Sequence, residues 1–586
     1  MTRQRTAAAV AGAAVLALAL GACGGGSGNS GGSSGGGAKA VADAGIGKVF
    51  NPSTDKGGTI KIADSGDWDS LDPADTYYGY SWDFVRLYGR SLVMFAPKPG
   101  AEGTKLVPDL AESLGVSSNG SKTWTYKLRK GVKFDDGTPV TSKDVKYAVE
   151  RSLDKTTFPN GPTYFNDYLD LQGYTSPYKD PSPDKLGLKA IETPDDSTII
   201  FKLAKPFVGF DYFAQLPATI PVPQAKDTGT KYKEKVVATG PYKFGTYELG
   251  KKFTLVRNEN WDPATDPNRP ALPDTIEVQL NVNADDMDNR LISGDLDIAV
   301  EGTGVQLAAQ SRVLANPDLK ARSDLAPSPR TWMTFVNGDV PPLNKIECRR
   351  AIQYAANKAG YQKAYGGKTG GDIATNLQPP MIPGATPFNL YPAGPDNTGD
   401  LAKAKEQLAA CGQPNGFATS ISYRAERPRE KEVATSLQES LGRVGIKLTV
   451  KPYPAGDYFK LYAGKPAFAK ANGLGMMVYG WQADWPDGFG FLSQIVDSRV
   501  IREAGNTNLS VKDPAVDAAI DTALAEPDAT KRNALWNEVD KKVMESGFVL
   551  PGVWSKALFL RSKRLTNVFV TDGYGMYEYV ALGVQK

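Results

Sequence analysis

The chain has 586 residues, 41% hydrophobic and 23% charged, which is enough for roughly three or four domain-sized units with substantial cores. Its formal net charge of +3 is too small to attract nucleic acid strongly, so we expect no nucleic-acid partner. The chain contains no histidine, which excludes a histidine general base, a Ser-His-Asp or Cys-His pair, and a histidine-ligated metal. We expect neither a metal nor a cofactor.

The N-terminus predicts export and attachment to a membrane. Arg3 and Arg5 precede an apolar run over 7–20, which has the length of a signal-peptide core and is too short to span a bilayer. The Leu-Gly-Ala-Cys motif that ends at Cys23 resembles the lipobox of bacterial lipoproteins, in which the cysteine is lipidated and becomes the first mature residue. We therefore expect a lipoprotein signal peptide over 1–22, with a plain signal peptide and a chance cysteine as the alternative.

The segment after Cys23 predicts a tether. Residues 24–37 are almost all Gly and Ser, a composition that behaves as a flexible chain, and we assign 23–57 to the lipidated cysteine and tether. No later stretch reaches 18 uninterrupted apolar residues, so we expect a soluble body held by lipid at the extracytoplasmic face of the cell membrane. In a cell with an outer membrane, that location is the periplasm.

The first half of the body shows strand patterns with one clear helix. Residues 58–64 and 124–128 alternate apolar and polar side chains, as strands with one buried face do. Thr141 is a plausible helix N-cap with Asp144 three residues later, followed by an apolar helical face. Further strands are predicted at 199–201, 253–256 and 276–280.

The second half alternates strands and helices. Between strands predicted at 420–423 and 446–450, the apolar residues of 433–444 are spaced 4, 4 and 3, which indicates one helical face. This β-α-β order predicts a parallel sheet. Further helices are predicted at 345–359, 400–410, 513–525 and 530–545. The last 40 residues are β-rich again, which suggests that the tail returns to the first lobe and that a hinged cleft lies between two lobes.

Two cysteines, Cys348 and Cys411, remain in the body. Outside the cytoplasm such a pair favours a structural disulfide, with two buried thiols as the alternative.

Several segments, in chain order, resemble family 5 of the extracytoplasmic solute-binding proteins of ABC importers, which includes oligopeptide- and dipeptide-binding proteins. They lie at 106–113, 124–145, 238–242 with 256–261, 294–298 and 349–355, and include Trp124-Thr125-Tyr126-Lys127-Leu128-Arg129 and Ala238-Thr239-Gly240-Pro241-Tyr242.

The resemblance implies an α/β, two-lobe periplasmic-binding-protein-like fold (type II, cluster C) with an extra subdomain inserted in the first lobe. The first lobe is then expected at 58–80, 194–325 and 548–586, the inserted subdomain at 81–193, and the second lobe at 326–547.

The resemblance also implies part of a ligand site. Asp484 is expected to bind the α-ammonium of a peptide, Gly480 and Gln482 to pair with its backbone, and Trp481 to form a wall. From the other lobe we expect contacts from Tyr77, Tyr78 and Gly79. Alternatively, Asp484 caps the helix near 487 or pairs with a surface arginine, and the aromatic residues are ordinary packing.

The implied action is binding, not catalysis: the protein, expected to be a monomer, captures oligopeptides or dipeptides and delivers them to an ABC permease with its ATPase subunits. Within the family, an oligosaccharide stacked on Trp332, Trp481 or Trp485 is the alternative, and a nickel chelate is disfavoured because imidazole is absent. Alternatives of another class are a surface peptide receptor or chaperone, and a carboxylate-based hydrolase. The acids that such a hydrolase could use are Asp67, Asp69 and Asp72, and Asp285, Asp286 and Asp288.

Overall fold

A computed structural model describes residues 42–526 and 528–585, and three sheets of four or more strands organise this part of the chain. The strands of the five-stranded sheet are, in spatial order, Ile298–Ala299, Thr59–Ala63, Thr275–Gln279, Lys252–Arg257 and Tyr242–Glu248. Those of the six-stranded sheet are Gly371–Ile373, Val549–Leu560, Ser323–Val336, Leu474–Gln482, Ala418–Arg424 and Lys447–Tyr453. Those of the four-stranded sheet are Val116–Ser118, Thr123–Lys127, Thr198–Lys202 and Ile191–Asp195.

Helices cover these sheets. Those of seven or more residues in the described ranges are Gly79–Val85, Ser142–Ser152, Ala284–Ser293, Leu307–Ala315, Ile346–Ala355, Lys358–Ala364, Leu401–Ala410, Pro428–Gly442, Gly488–Val496, Pro514–Ala525 and Ala529–Ser546. The helix predicted over 345–359 is in fact two helices. The break falls at Asn357, whose side chain accepts the backbone N–H of Gly360 at 2.8 Å and so starts a second helix.

The predicted β-α-β unit is confirmed. Strands Ala418–Arg424 and Lys447–Tyr453 pair in parallel, and helix Pro428–Gly442 connects them. Its apolar face, which includes Val433, Leu437 and Leu441, is fully buried. The period of the apolar residues therefore marks the helix and its buried face.

The predicted start of the helix at Ser142–Ser152 is also confirmed. The backbone N–H of Thr141 donates to the carboxylate of Asp144 at 2.8 Å, and Asp144 lies in the first helical turn. A carboxylate at this position satisfies a donor that the helix cannot bond and interacts favourably with the helix dipole.

The fold is mixed α/β with two lobes and an extra subdomain. By the predicted boundaries, all strands of the five-stranded sheet lie in the first lobe. The six-stranded sheet joins strands of the second lobe to Val549–Leu560 of the first-lobe tail, and the four-stranded sheet joins strands of the subdomain to Thr198–Lys202. The exact boundaries remain predictions. The 12-residue strand Val549–Leu560 pairs antiparallel with Ser323–Val336 in the six-stranded sheet, and the tail contacts the five-stranded sheet from Ser562, whose backbone N–H donates to Asp297.

Part of the segment assigned to the tether is packed on the body instead. The backbone N–H of Gly45 donates to Asp324 at 2.7 Å, and Phe50 and Val568 exchange backbone hydrogen bonds of 2.8 and 3.0 Å. The guanidinium of Arg561 lies over the ring of Phe50. The Gly/Ser composition ends well before this stretch, so it carries apolar side chains that the body can bury.

The predicted signal peptide, the lipidation site Cys23 and the Gly/Ser run lie outside the described residues. Among residues 42–526 and 528–585, no helix is long and apolar enough to cross a membrane. In the second lobe, Cys348 and Cys411 form a disulfide with their Cα atoms 5.4 Å apart. It joins the helix Ile346–Ala355 to the end of Leu401–Ala410.

Candidate functional site

A cavity of about 720 Å³, including space open to solvent, lies where the lobes meet. Its walls include all seven residues for which a ligand role is predicted: Tyr77, Tyr78, Gly79, Gly480, Trp481, Gln482 and Asp484. The structure therefore brings together two segments about 400 residues apart in the chain.

One wall of the cavity is the end of strand Leu474–Gln482. This strand pairs with Ser323–Val336 along its length, but Ala418–Arg424 pairs with it only as far as Met477. Beyond that point, no strand within the described ranges pairs with this edge. An unpaired strand edge presents N–H and C=O groups to which an extended peptide can add as a further strand.

The register shows which groups of this edge are free. The N–H of Ala483 donates to the carbonyl of Pro329, so these two residues form a hydrogen-bonded pair of the antiparallel ladder. In the same register, Gly480 is opposite Trp332. Bonded and non-bonded pairs alternate in an antiparallel ladder, so the backbone groups of Gly480 and Gln482 point away from the paired strand. A side chain at 480 does not fit, because a Cβ there would lie 2.2 Å from the Trp332 ring.

Asp484 lies directly beyond this strand and is 8% exposed. Its carboxylate accepts hydrogen bonds from the hydroxyls of Tyr77 at 2.7 Å and Tyr164 at 2.6 Å. No Lys or Arg of the described residues lies within ion-pair distance of it, and burial raises the pKa of Asp484 to about 7. The helix at 488 is capped by Asp487, which accepts the N–H of Gly490 at 2.6 Å. Neither alternative for Asp484 is therefore present.

Aromatic rings from the segment around Tyr77 also line the cavity. Tyr77 stacks on Trp82 with ring centroids 5.3 Å apart and meets Trp481 edge to face at 5.5 Å. Tyr78 stacks on Tyr80, and its hydroxyl donates to the carbonyl of Ala455 at 3.2 Å. Stacking and hydrogen bonding fix the positions of both tyrosines.

Trp481 packs in the core and also lines the cavity. It is 5% exposed, and its indole N–H donates to the carbonyl of Phe491 at 2.7 Å. Gly79 is opposite the side chain of Gln482, and a Cβ at 79 would lie 2.9 Å from its amide nitrogen. A side chain at 79 would therefore displace the Gln482 amide, which is hydrogen-bonded to Arg330 and to the carbonyl of Tyr574.

The sequence interpretation missed Tyr164, which reaches Asp484 from the extra subdomain. It lies in the five-residue helix Tyr164–Tyr168, too short to give a periodic signal, and 320 residues from its partner. Nothing local in the sequence marks it.

Three arginines that the sequence interpretation also missed line the cavity: Arg330, Arg424 and Arg427. Arg427 pairs with Glu301 at 2.5 Å, and the Nε of Arg424 donates to Glu430 at 2.9 Å. These two guanidiniums thus have counter-ions.

Arg330 has no carboxylate of the described residues within ion-pair distance. It is 6% exposed and donates to the carbonyl of Gly302 at 3.2 Å and to the side-chain oxygen of Gln482 at 2.9 Å. Burial, with the like charges of Arg427 and Arg424, lowers the pKa of Arg330 to about 10. The cavity thus holds one buried acid without a cation and one buried cation without an acid.

Comparison with known proteins identifies the family. The family model "Bacterial extracellular solute-binding proteins, family 5 Middle" matches residues 105–502, more than half of the chain. The chain belongs to this family.

Its relatives in family 5 are named for ligands that they bind. The chain is 27% identical to "Di/tripeptide-binding protein 1" of Pseudomonas aeruginosa, over 83% of this chain and 87% of the relative. It is 26% identical to "Glutathione-binding protein GsiB" of Shigella dysenteriae, over 88% and 93%. Both names are those of binding proteins.

Solved structures of family 5 members share the fold. "Clavulanic acid biosynthesis oligopeptide binding protein 2" matches with a TM-score of 0.84 and 42% identity, over 94% of this chain and 99% of that one. DppA from Helicobacter pylori, in complex with the peptide STSA, matches with a TM-score of 0.75 over 91% and 99%. At 23% identity, the second likeness shows the fold alone.

The acids considered for a hydrolase in this family 5 chain hold loops and helices in place. Asp69 accepts the Thr76 hydroxyl at 2.8 Å, and Asp72 forms an ion pair with Arg151 at 2.6 Å. The other cluster lies in the first turns of helix Ala284–Ser293, where Asp288 accepts the backbone N–H of Gln306 at 2.7 Å. Of the tryptophans considered for sugar stacking, Trp332 and Trp481 line the cavity, whereas Trp485 is fully buried against Tyr212.

Proposed function

We propose that this protein is the membrane-anchored substrate-binding component of an ABC importer, which captures oligopeptides or dipeptides between its lobes and delivers them to a permease. The observation that carries the proposal is the buried carboxylate of Asp484 at the end of a free strand edge, where two tyrosine hydroxyls are its only partners among the described residues. Attachment through Cys23 and action as a monomer are part of the same proposal.

The carboxylate fits the free amino terminus of a peptide. An ammonium ion that enters the cavity supplies the missing counter-ion to Asp484, and charge-assisted hydrogen bonds are strong where water is excluded. Beside it, the free N–H and C=O groups of Gly480 and Gln482 pair with the peptide main chain whatever its side chains are. A peptide thus satisfies the acid and the strand edge together.

Arg330 fits the other end of such a ligand. A guanidinium binds a carboxylate through two parallel hydrogen bonds, and a buried one without a counter-ion gains most from doing so. Because Arg330 is opposite Gln482 in the sheet and Asp484 is two residues further on, one short peptide can supply both charges. The names of the relatives that bind di- and tripeptides and glutathione agree with this ligand class.

The test is ligand binding by a chain that starts at residue 23 and carries Cys23→Ser, refolded from denaturant to remove any carried ligand. Thermal melts with free trialanine should show a rise in Tm, because a ligand that binds only the native state stabilises it by about 2.7 kcal/mol at 100 times its Kd. N-acetylated trialanine should give a much smaller rise.

Each other outcome points to a different function. A rise with oligosaccharides alone would support the alternative ligand within the family and reject peptides. Cleavage of the peptide, detected by mass spectrometry, would contradict a binding role. In cells, labelling with a palmitate analogue should mark the wild type but not a Cys23→Ala variant, and labelling of both would reject the anchor.

A further inference from the structure

A second cavity, separate from the one between the lobes, opens where the extra subdomain meets the second lobe. It measures about 1040 Å³, including space open to solvent. Residues between Leu153 and Lys179 form one wall, and the segments 460–465 and 502–504 form the other. None of the residues that line the first cavity lines this one.

The walls of this cavity carry a large excess of positive charge. Five of the lining residues are cations: Lys155, Lys179, Lys460, Lys465 and Arg502. Only Asp154 and Glu503 are acids, and no ion pair within 4.0 Å joins any of these cations to a carboxylate of the described residues. The carboxylate of Asp154 is already occupied, because it accepts the Ser176 hydroxyl at 2.8 Å and the backbone N–H groups of Thr156 and Thr157 at 3.1 Å.

Two of the cations are held side by side. The ammonium of Lys155 and the Nη2 of Arg502 both donate to the carbonyl oxygen of Gly161, at 3.3 and 2.9 Å. Arg502 is fixed further by the carbonyls of Pro159 at 2.7 Å, Gly505 at 2.9 Å and Ala504 at 3.1 Å. Asp75 and Asp167 lie near enough to act on its charge, but neither forms an ion pair with it within 4.0 Å. Burial, and then the like charge of Arg502, lower the pKa of Lys155 to about 7, although the charges of Asp75, Asp167 and Asp154 act in the opposite direction.

We propose that this cavity is a second binding site, for a small multivalent anion that carries phosphate or carboxylate groups. Such an anion would supply the counter-charge that the walls lack, and a guanidinium fixed on one edge can still direct its remaining N–H groups at an oxyanion. A multivalent ligand fits because the cations lie on both walls, so one group can bind the subdomain while another binds the lobe. The site does not depend on the ligand of the first cavity.

The experiment is isothermal titration of the refolded chain with inorganic pyrophosphate, and separately with citrate, at low ionic strength. The cavity variant is Lys460→Gln with Lys465→Gln, and the matched control is Lys431→Gln with Lys470→Gln. Both control lysines are exposed and lie outside the cavity. We expect the Kd of at least one probe to rise ten-fold or more in the cavity variant and to change less than two-fold in the control.

The Tm and far-ultraviolet circular dichroism of each variant report whether it is folded, and trialanine binding, measured on the same samples, keeps this test separate from that of the first cavity. The proposal is overturned if the wild type binds neither probe at millimolar concentration. It is also overturned if both variants weaken binding equally, because that result would indicate only non-specific electrostatic attraction to the protein surface. Displacement of bound trialanine by pyrophosphate would also overturn it, because the two sites would then be one. If only pyrophosphate binds in the cavity, the site selects phosphate; if only citrate binds there, it selects carboxylate.

Discussion

The hydroxyl of Tyr77 donates a 2.7 Å hydrogen bond to the carboxylate of Asp484, and these two residues are 407 positions apart in the chain. The bond joins the two chain segments that line the cavity. Within the described residues, the carboxylate of Asp484 is hydrogen-bonded only to neutral hydroxyls, and these compensate its charge less well than a cation does. A ligand that brings an ammonium ion here relieves an electrostatic cost already present in the fold.

Replacing Asp484 should therefore weaken binding and at the same time stabilise the ligand-free protein. We expect Asp484→Asn to weaken trialanine binding at least 100-fold and yet to raise the Tm of the ligand-free protein at pH 8. The pKa is about 7 when folded and near 4 when unfolded, so the folded state holds a proton that the unfolded state has lost, and stability falls as the pH rises between these values. Above pH 7 the charged carboxylate of Asp484 lowers the free energy of unfolding by up to about 4 kcal/mol, a loss that the neutral asparagine side chain avoids.

Melts of both proteins at pH 8 and pH 4.5 check this expectation. The gain in Tm should be large at pH 8 and nearly absent at pH 4.5, where Asp484 is protonated in the folded wild type. The exposed Asp396→Asn variant is the control and should change neither Tm nor binding. An Asp484→Asn variant that is less stable than the wild type at pH 8 would contradict the argument.

Peptide binding should release a proton near neutral pH. The bound ammonium favours the charged carboxylate of Asp484, whose pKa of about 7 before binding leaves it half protonated at pH 7. We expect affinity for trialanine to fall roughly ten-fold from pH 7 to pH 5.5, because almost every molecule must then lose a proton to bind.

Calorimetry in two buffers of different ionisation enthalpy measures the proton directly. About half a proton per peptide should be released at pH 7, and close to one at pH 5.5. Equal affinity at both pH values, with no buffer dependence, would mean that this carboxylate does not bind the ammonium.

Arg330 should recognise the carboxyl end of the ligand. We expect Arg330→Gln to weaken binding of free trialanine by roughly ten- to 100-fold and to leave the already weaker binding of its C-terminal amide unchanged, since a buried charged hydrogen bond contributes about 1.5–3 kcal/mol. The matched control is Arg312→Gln, an exposed arginine bonded to Asn289. If the variant weakens the acid and the amide equally, Arg330 shapes the cavity instead of binding a carboxylate.

The disulfide should stabilise the second lobe through its long loop. Cys348 and Cys411 are 63 positions apart, and closing a loop of this length contributes about 4 kcal/mol in the chain-entropy model. We expect replacement of both by alanine to lower the guanidinium midpoint of unfolding. Reductant should lower the midpoint of the wild type similarly and have no effect on the double variant, and an equal effect on both would point to another cause.

Structure that depends on residues close together in the sequence could be predicted, whereas contacts between distant residues could not. The capping box at Thr141 and the buried face of helix Pro428–Gly442 depend on residues three or four apart, and both were predictable. The seven ligand residues were named through a family resemblance, and the structure places them around one cavity.

The positions of Arg330 and Tyr164 in the site could not be predicted from the sequence. Arg330 faces the cavity only because its strand pairs with residues 150 positions later in one register, and Tyr164 only because the extra subdomain meets the second lobe there. Strand register between distant segments and contacts between subdomains are set by packing of the whole chain, which no local pattern in one sequence encodes.

The half-paired strand Leu474–Gln482 has one more consequence. An open sheet edge will join any extended polypeptide, including another copy of the same protein, and so promotes aggregation. Here the unpaired edge lines the cavity between the lobes, so a polypeptide must fit into that cavity to pair with it. The position of the edge thereby limits its pairing with other proteins and favours ligands small enough to enter the cavity.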